Sequence, residues 1–347
     1  MTTRPRLADV AARAGVSMKT VSNVINDFEH VSPQMRARVQ AAIEEIGYRP
    51  NLSARNLALG RAGMIALVVP QLDMPYFAAL AGQVLEAAAR SNWVVLIQQS
   101  GGDPAVERAA LAGEFPQRMD GLILSSQRID PAELRERTDR TPLVMLGERN
   151  YQGAAQHVAI DNVAAAETAV RHLIDIGRRR IALIGSRPTD RRHPRLRGYR
   201  QALRAAGLPE RADWIKPIRS NLGEEGERQM AELLAENPQN PPDAVFCVTD
   251  WVALGVIRAL QTRGLRVPDD VAVVGFDDIP YGRAATPTLT TISPDRSAIA
   301  RMAVASLADQ VAALAGGTTY EVSEQQASFE LIVRESTAGL TVGETGR

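Results

Sequence analysis

The sequence predicts a two-part chain: a small helix-turn-helix head followed by two doubly wound parallel α/β lobes. Three observations carry that prediction. Apolar residues recur at helical spacing up to Ile46, broken by Gly15 and Gly47. Beyond Arg61, short apolar runs alternate with amphipathic segments of helix length. The 347 residues, 45% hydrophobic and 23% charged, have ordinary globular composition and length for roughly two domains.

In the head, Leu7, Ala8, Val10, Ala11 and Ala14 form one apolar stripe. It ends at Gly15-Val16-Ser17, where glycine permits a positive φ and serine can cap a second helix. From Met18, the positions Val21, Val24 and Ile25 form a second stripe and leave Lys19, Thr20, Ser22 and Asn23 on other faces. So short a turn suits a helix-turn-helix, whose second helix can enter the roughly 12 Å wide major groove of DNA. A third helix opens at Ser32-Pro33, a capping residue followed by proline at the first helical position. It buries Met35, Val39, Ala42, Ile43 and Ile46 before Gly47. An ordinary three-helix packing module has the same periodicity, so spacing alone leaves both readings open.

The body predicts strands at Met64–Pro70, Trp93–Gln98, Gly121–Ser125, Leu143–Leu146, Val158–Ile160, Ile181–Gly185, Ala244–Thr249 and Val271–Phe276. Helices fit between them, notably Tyr76–Ser91, Val163–Ile176, Arg195–Ala206, Gly223–Glu236 and Trp251–Arg263. Near-continuous apolar strands separated by helices read as parallel α/β, and so long a stretch divides into two lobes more readily than it forms one sheet. Ligands of such folds bind beyond the carboxyl ends of the strands. The residues there are Tyr76-Phe77, Ser125-Ser126, Asp161-Asn162, Thr249-Asp250 and Asp277-Asp278.

Charge refines the division. The 40 basic and 40 acidic residues cancel overall, but up to Gly60 there are eight basic and five acidic residues, a head of +3 on a body of −3. A basic head suits a polyanion, although a solvated face does as well. The longest uninterrupted apolar runs fall short of the ~20 residues of a membrane helix, and Met1–Val10 has no signal-peptide core, so a cytoplasmic protein is expected. The single cysteine, Cys247, excludes internal disulfides and sits in an apolar run as a small buried hydrophobe. His30, His157, His172 and His193 are scattered without metal-ligand spacing. No nucleophile elbow or Walker loop occurs, so no metal, cofactor or catalytic residue is expected. Asp277 and Asp278, adjacent in an extended segment, would point to opposite sides and could not flank one bond.

Several segments closely resemble the LacI/GalR family of bacterial transcriptional regulators. In the head these are Leu7-Ala-Asp-Val-Ala-Ala-Arg-Ala-Gly-Val-Ser-Met-Lys-Thr-Val-Ser-Asn-Val-Ile-Asn26, Val31-Ser-Pro33 and Ile46-Gly-Tyr-Arg-Pro-Asn51. In the body they include Met119-Asp-Gly-Leu-Ile123, Ile160-Asp-Asn162, Val274-Gly-Phe-Asp-Asp278 and Phe329-Glu-Leu-Ile-Val-Arg-Glu335. The resemblance implies a head at 1–50, a hinge helix at 51–61 and a ligand-binding domain at 62–340 built like a periplasmic sugar-binding protein. Its lobes would be discontinuous, the first from 62–161 and 293–320 and the second from 162–291 and 322–340, with crossings near Asn162, Ile292 and Glu321.

For DNA, the resemblance assigns base-edge contacts to Met18, Lys19 and Asn23 and phosphate contacts to Thr20 and Ser22. Tyr48 and Asn51 would position the backbone, although Tyr48 could also cover the third helix. Ala54 and Ala58 belong to the hinge helix, from which Leu57 would wedge into the minor groove. For the effector, Asp277 and Arg195 would bind vicinal hydroxyls, Tyr76 and Phe77 would cover an apolar sugar face, and Ser125, Asn221 and Asp250 would contribute. Thr249 departs from the asparagine of many sugar-responsive members, and position 221 lacks an aromatic. The expected partners are a double-stranded, pseudo-palindromic operator, a sugar or glycoside, and a second copy of the chain packed through Tyr76–Arg90 and Asp295–Leu314. The expectation is thus a dimeric, ligand-responsive repressor of carbohydrate-utilisation genes. The alternative is a cytoplasmic sugar-binding protein or sugar-processing enzyme with a fused DNA-binding head.

Overall fold

A computed structural model describes residues 5–25, 28, 30–48, 61–126 and 128–338. The expected hinge helix, with Asn51, Ala54, Leu57 and Ala58, lies outside the described residues. The chain separates into two compact units, 1–63 and 64–347.

The first unit is the three-helix head: α1 (Leu7–Ala14), α2 (Met18–Ile25) and α3 (Pro33–Ile46). Gly15 ends α1 in the left-handed region at φ 62°, and Val16 N–H closes the turn onto the Ala11 carbonyl at 3.0 Å. Ser17 Oγ then accepts the Thr20 N–H at 3.1 Å, so the break that stops one helix caps the next. Ser32 Oγ caps α3 by accepting the Met35 N–H at 3.3 Å, with Pro33 in the first turn. Val10, Ala11, Ala14, Val21, Val24, Val39 and Ala42 close one core. Arg13 and Glu45 bridge α1 and α3 at 2.6 Å, but both are more than half exposed, so the pair adds at most about 1 kcal/mol and the apolar core dominates.

The second unit holds two six-stranded sheets. The first contains β1 (Met64–Val69), β2 (Val94–Gln99), β3 (Gly121–Ser125), β4 (Leu143–Leu146), β5 (Gln156–Ile160) and β11 (Glu324–Ala327), in the order β11-β5-β4-β3-β1-β2 and all parallel. The second contains β6 (Ile181–Ile184), β7 (Ile215–Lys216), β8 (Ala244–Cys247), β9 (Ala272–Phe276), β10 (Thr290–Pro294) and β12 (Phe329–Ile332), in the order β12-β10-β9-β8-β6-β7. It is parallel except that β12 pairs antiparallel with β10. Strand residues alternate between two cores: Ile65, Leu67 and Val69 enter one, while Ala66 and Val68 enter the other. That double burial explains why these strands read as unbroken apolar runs.

Helices cover both faces of each sheet. In the first lobe they are α4 (Pro75–Arg90), α5 (Pro104–Leu111), α6 (Pro131–Arg135) and α12 (Arg296–Gly316). In the second they are α7 (Asn162–Asp175), α8 (Pro194–Ala205), α9 (Gly223–Glu236), α10 (Asp250–Gln261), α11 (Pro280–Ala284) and α13 (Glu335–Ala338). Contrary to the expectation from uninterrupted apolar runs, the 21 residues of α12 are long and apolar enough, by length and composition, to cross a membrane. Its alanine-rich surface instead packs against α4 and against β3, β4 and β5, as a core helix does.

The chain passes between the sheets three times. Asp161 links β5 to α7, Asp295 links β10 to α12, and Ser328 links β11 to β12. Two boundaries differ from expectation. Strand β10 stays in the second sheet to Pro294, beyond Ile292, and the third crossing falls at Ser328 rather than near Glu321. Glu324-Gln-Gln-Ala327 pairs with β5 in the first sheet, a polar edge strand that no apolar pattern marks.

Backbone contact between α9 and α10 depends on glycine. A Cβ on Gly255 would sit 1.8 Å from the Gly223 carbonyl oxygen and 2.9 Å from Glu227 N. Alanine favours a helix by about 1 kcal/mol over glycine, but here it meets backbone that no rotamer change relieves. Gly255→Ala is therefore expected to cost about 1–3 kcal/mol of stability, read as a lower melting temperature of the second unit.

Candidate functional site

The described head presents α2 as its polar surface. Met18 is 55% exposed and Lys19 is also exposed, while Thr20, Ser22 and Asn23 are half-buried between them and the core. The Thr20 hydroxyl lies 2.9 Å from Ser17 Oγ, so it belongs first to the helix cap, and a phosphate contact would have to share it. Tyr48 packs on the head core and its N–H closes the end of α3 onto the Ile43 carbonyl at 3.1 Å. Among the described residues that is its packing role.

In the second unit the strand ends of both lobes converge on a cavity of about 370 Å³. The first lobe contributes Tyr76 and Phe77 from the start of α4, Ser125 from β3, and Glu148 beyond β4. The second contributes Asn162, His193, Arg195, Asn221, Phe276 and Asp277. Six of the seven expected effector residues therefore lie together: Tyr76, Phe77, Ser125, Arg195, Asn221 and Asp277. Asp250 does not. Its carboxylate turns behind the wall, accepting the Thr291 hydroxyl at 2.5 Å and the Ile279 N–H at 2.8 Å. Burial, and then the Asp277 carboxylate, push its carboxyl well above the usual range.

Arg195 organises the cavity floor. Its guanidinium stacks 3.6 Å over the Phe276 ring, donates to the Val248 carbonyl and to Asn162 Oδ1 at 3.2 Å, and pairs with Glu148 from the opposite lobe at 3.3 Å. The two lobes thus touch through a charge pair inside the cleft. Asp277 is held by its backbone: its N–H donates to the Ile292 carbonyl at 2.8 Å, and its own carbonyl accepts from Arg296. Among the described residues no hydrogen bond reaches its carboxylate. Burial raises its pKa to about 7, against the opposing pull of Arg195 and Arg296. Tyr76 is pushed up to about 12 by burial and by the Asp277 carboxylate, so it remains a neutral hydroxyl.

The adjacent pair does separate, by a different route from the extended backbone expected. Asp277 and Asp278 both have positive φ, 111° and 49°. Asp278 turns away to Arg283 and Arg334, each at 2.6 Å. Burial opposes its ionisation, but the two guanidinium hydrogen bonds outweigh it and hold the carboxyl below its ordinary value. One carboxylate is consumed and one is available. With Arg195 as donor, Asp277 as acceptor and the Tyr76, Phe77 and Phe276 rings as apolar walls, the cavity can bind a polyhydroxylated molecule in a fixed orientation.

Glu148, Arg128, His193 and Asn162 also line the cavity and are not among the expected site residues. A signal for Glu148 is present in the sequence, since it follows β4 by two residues. Among the described residues no group of three or more His, Cys, Asp or Glu side chains could hold a metal ion. Cys247 is buried in β8, and burial drives its thiol pKa upward.

Comparison with known proteins agrees with this division. A family profile described as bacterial regulatory proteins, lacI family, matches residues 6–51, and one described as a periplasmic binding protein-like domain matches residues 170–337. The HTH-type transcriptional repressor CytR of Escherichia coli (strain K12) is 34% identical over 97% of this chain and 98% of its own length. The HTH-type transcriptional regulator CelR of Thermobifida fusca is 37% identical over 96% and 98%. Among solved structures, a lac repressor dimer bound to operator and the anti-inducer ONPF superposes with a TM-score of 0.79 at 27% identity, covering 96% of this chain and 99% of that one. A CelR–cellobiose complex gives 0.69 at 33% identity, covering 96% and 100%.

Proposed function

The chain belongs to the LacI family of bacterial regulatory proteins, and from that premise we propose that it is a cytoplasmic repressor of carbohydrate-utilisation genes whose effector is a saccharide. It is a ligand-responsive, DNA-binding transcriptional regulator. The observation that carries the finer reading is the cavity itself: an unpaired Asp277 carboxylate beside a stacked Arg195, between two lobes joined by three crossings. CelR, a relative of matching length, has been solved with cellobiose, which supports a saccharide here. The cavity is read as a binding site: Asp278 is committed to Arg283 and Arg334, and Glu148, the other carboxylate of the lining, pairs with Arg195.

In this reading two heads of a homodimer read the half-sites of a pseudo-palindromic operator. Met18, Lys19 and Asn23 face base edges, and Leu57 wedges the central step. Effector closes the lobes about their three-stranded hinge and shifts the population of the DNA-competent state, a coupling typically worth ~1–3 kcal/mol. Selecting operators from a randomised duplex pool, then measuring affinity at fixed salt with sugars, glycosides and purines, tests the whole reading. An operator affinity that no small molecule alters would refute it. Within that selection, Asn23→Arg is expected to change preference at one position per half-site from adenine towards guanine, by about 1–3 kcal/mol. Unchanged preference would remove Asn23 from the base contacts.

A further inference from the structure

Among the charged groups lining the cleft, Arg195 pairs with Glu148 and Arg149 with Asp130, while Arg128 has no ion-pair partner among the described residues. Counted from the edge where the chain crosses between lobes, β4 and β9 are each third in their sheets, and they carry Glu148 and Asp277 at their carboxyl ends. One strand further out, β3 leads to Arg128; two strands further out, β6 leads into Arg187–His193. At about 4.8 Å per strand, the basic groups lie roughly 5–10 Å outward from the carboxylates.

Those basic groups lack partners. Arg128 lines the cavity and is exposed, and its backbone N–H is fixed by the buried Glu107 carboxylate at 3.1 Å, which leaves the guanidinium free. Among the described residues, no carboxylate lies within ion-pair distance of Arg128, Arg187, Arg191 or Arg192. Asp190, between them, spends its Oδ1 on the Arg192 N–H at 3.1 Å. Some exposed arginines elsewhere on the body, such as Arg171 and Arg266, pair with a carboxylate four residues away. Helix α8 begins at the same loop with Arg195 and Arg197 and no acidic residue in its first turn, so two cations face the positive end of the helix dipole. Ser186, in that loop, buries its hydroxyl without a partner among the described residues. Of that loop His193 lines the cavity, while Arg187, Arg191 and Arg192 are exposed beside it and add positive charge to this end of the cleft.

Building on the reading of the cavity as a saccharide site, we propose that the effector is an anionic saccharide: its hydroxyls lie on the Asp277 and Arg195 floor, and its phosphate or carboxylate group is held outward between Arg128 and the Arg187–His193 loop. The carboxylates near the hinge would repel that group, which fixes the polarity of the bound molecule. Arginine offers planar, bidentate donors to either anion.

Calorimetry on the full chain tests this with matched sets: glucose, galactose and ribose beside their phosphates, and glucose beside gluconate and glucuronate. The expected result is that the tightest ligand is anionic and binds at least tenfold better than its neutral parent. That ratio should shrink severalfold in Arg128→Gln and in the double variant Arg191→Gln/Arg192→Gln, and should fall with added salt. Phosphate against sugar acid decides which anion is read. Neutral sugars binding as well as their anionic partners, or a ratio indifferent to the arginines, overturns the inference and leaves the saccharide site standing. Failure of every saccharide to bind overturns both.

Discussion

An Arg195→Met chain is expected to hold its operator and lose its effector, with effector affinity down about a hundredfold. The substitution keeps a long apolar stem against the Phe276 ring but removes every donor. The Val248 carbonyl and Asn162 Oδ1 lose their guanidinium partner, and Glu148 loses the charge that draws it across the cleft. Glu148 would then face Asp277 with no cation of the floor between them. Hydrogen bonds made by a charged group are worth about 1.5–3 kcal/mol each, and about 3 kcal/mol is the stated hundredfold. Arg204→Gln, an exposed position in the last turn of the same helix, is the control for a mere loss of charge. Calorimetry with the effector and a band-shift titration with the operator separate the two readouts. Undiminished effector affinity in Arg195→Met would show that the stacked guanidinium is only a structural brace.

The contrast between Asp277 and Asp250 shows how much of this site is legible in sequence. Both follow the carboxyl end of a strand and both are acidic. The strand rule therefore places both near the cleft. What it does not give is the direction of the side chain. Thr249 caps α10, and the first residue of that helix swings its carboxylate toward Thr291 and the Ile279 N–H, away from the cavity. Elements buried on both faces, such as β1, β3 and β9, announce themselves as apolar runs. Strand β11, Glu-Gln-Gln-Ala, exists only because β5 offers it an open edge, and so the third crossing lies beyond the point that apolar patterning suggests. In the head, capping residues mark each boundary locally, and Ser17, Ser32, Gly15 and Gly47 occupy the positions that spacing assigns them. Arg128 is invisible in sequence for another reason: its place at the cavity depends on the anchoring of its loop by Glu107, a contact 21 residues away along the chain.

Replacing Asp277 with Asn is expected to stabilise the protein at neutral pH while destroying effector recognition. The sign is set by linkage. Burial raises the folded carboxyl to about 7 from an ordinary value of 3.8, so between those values the native state binds the proton that the unfolded state has lost. Stability from this group is therefore fully present below the unfolded pKa and declines as pH rises through the folded one. At pH 8 the ionised form costs at most about 4 kcal/mol, by ~1.36 kcal/mol per unit. Asparagine removes that cost and also tolerates the φ of 111°. That bound already includes the pull of Arg195 and Arg296 toward ionisation and the opposing push of Glu148. Effector binding should respond in the opposite sense. A carboxylate accepts two hydroxyl hydrogen bonds where a carboxylic acid must give up one acceptor, so wild-type affinity should climb from pH 6 to pH 8 and then level. In Asp277→Asn the profile should be flat and at least tenfold weaker throughout. Thermal melts at pH 5 and pH 8 give the stability arm, where only the pH 8 gap between variant and wild type should be large. A variant less stable than wild type at pH 8, with a pH profile unchanged from wild type, would mean that Asp277 keeps its charge through a partner other than the effector.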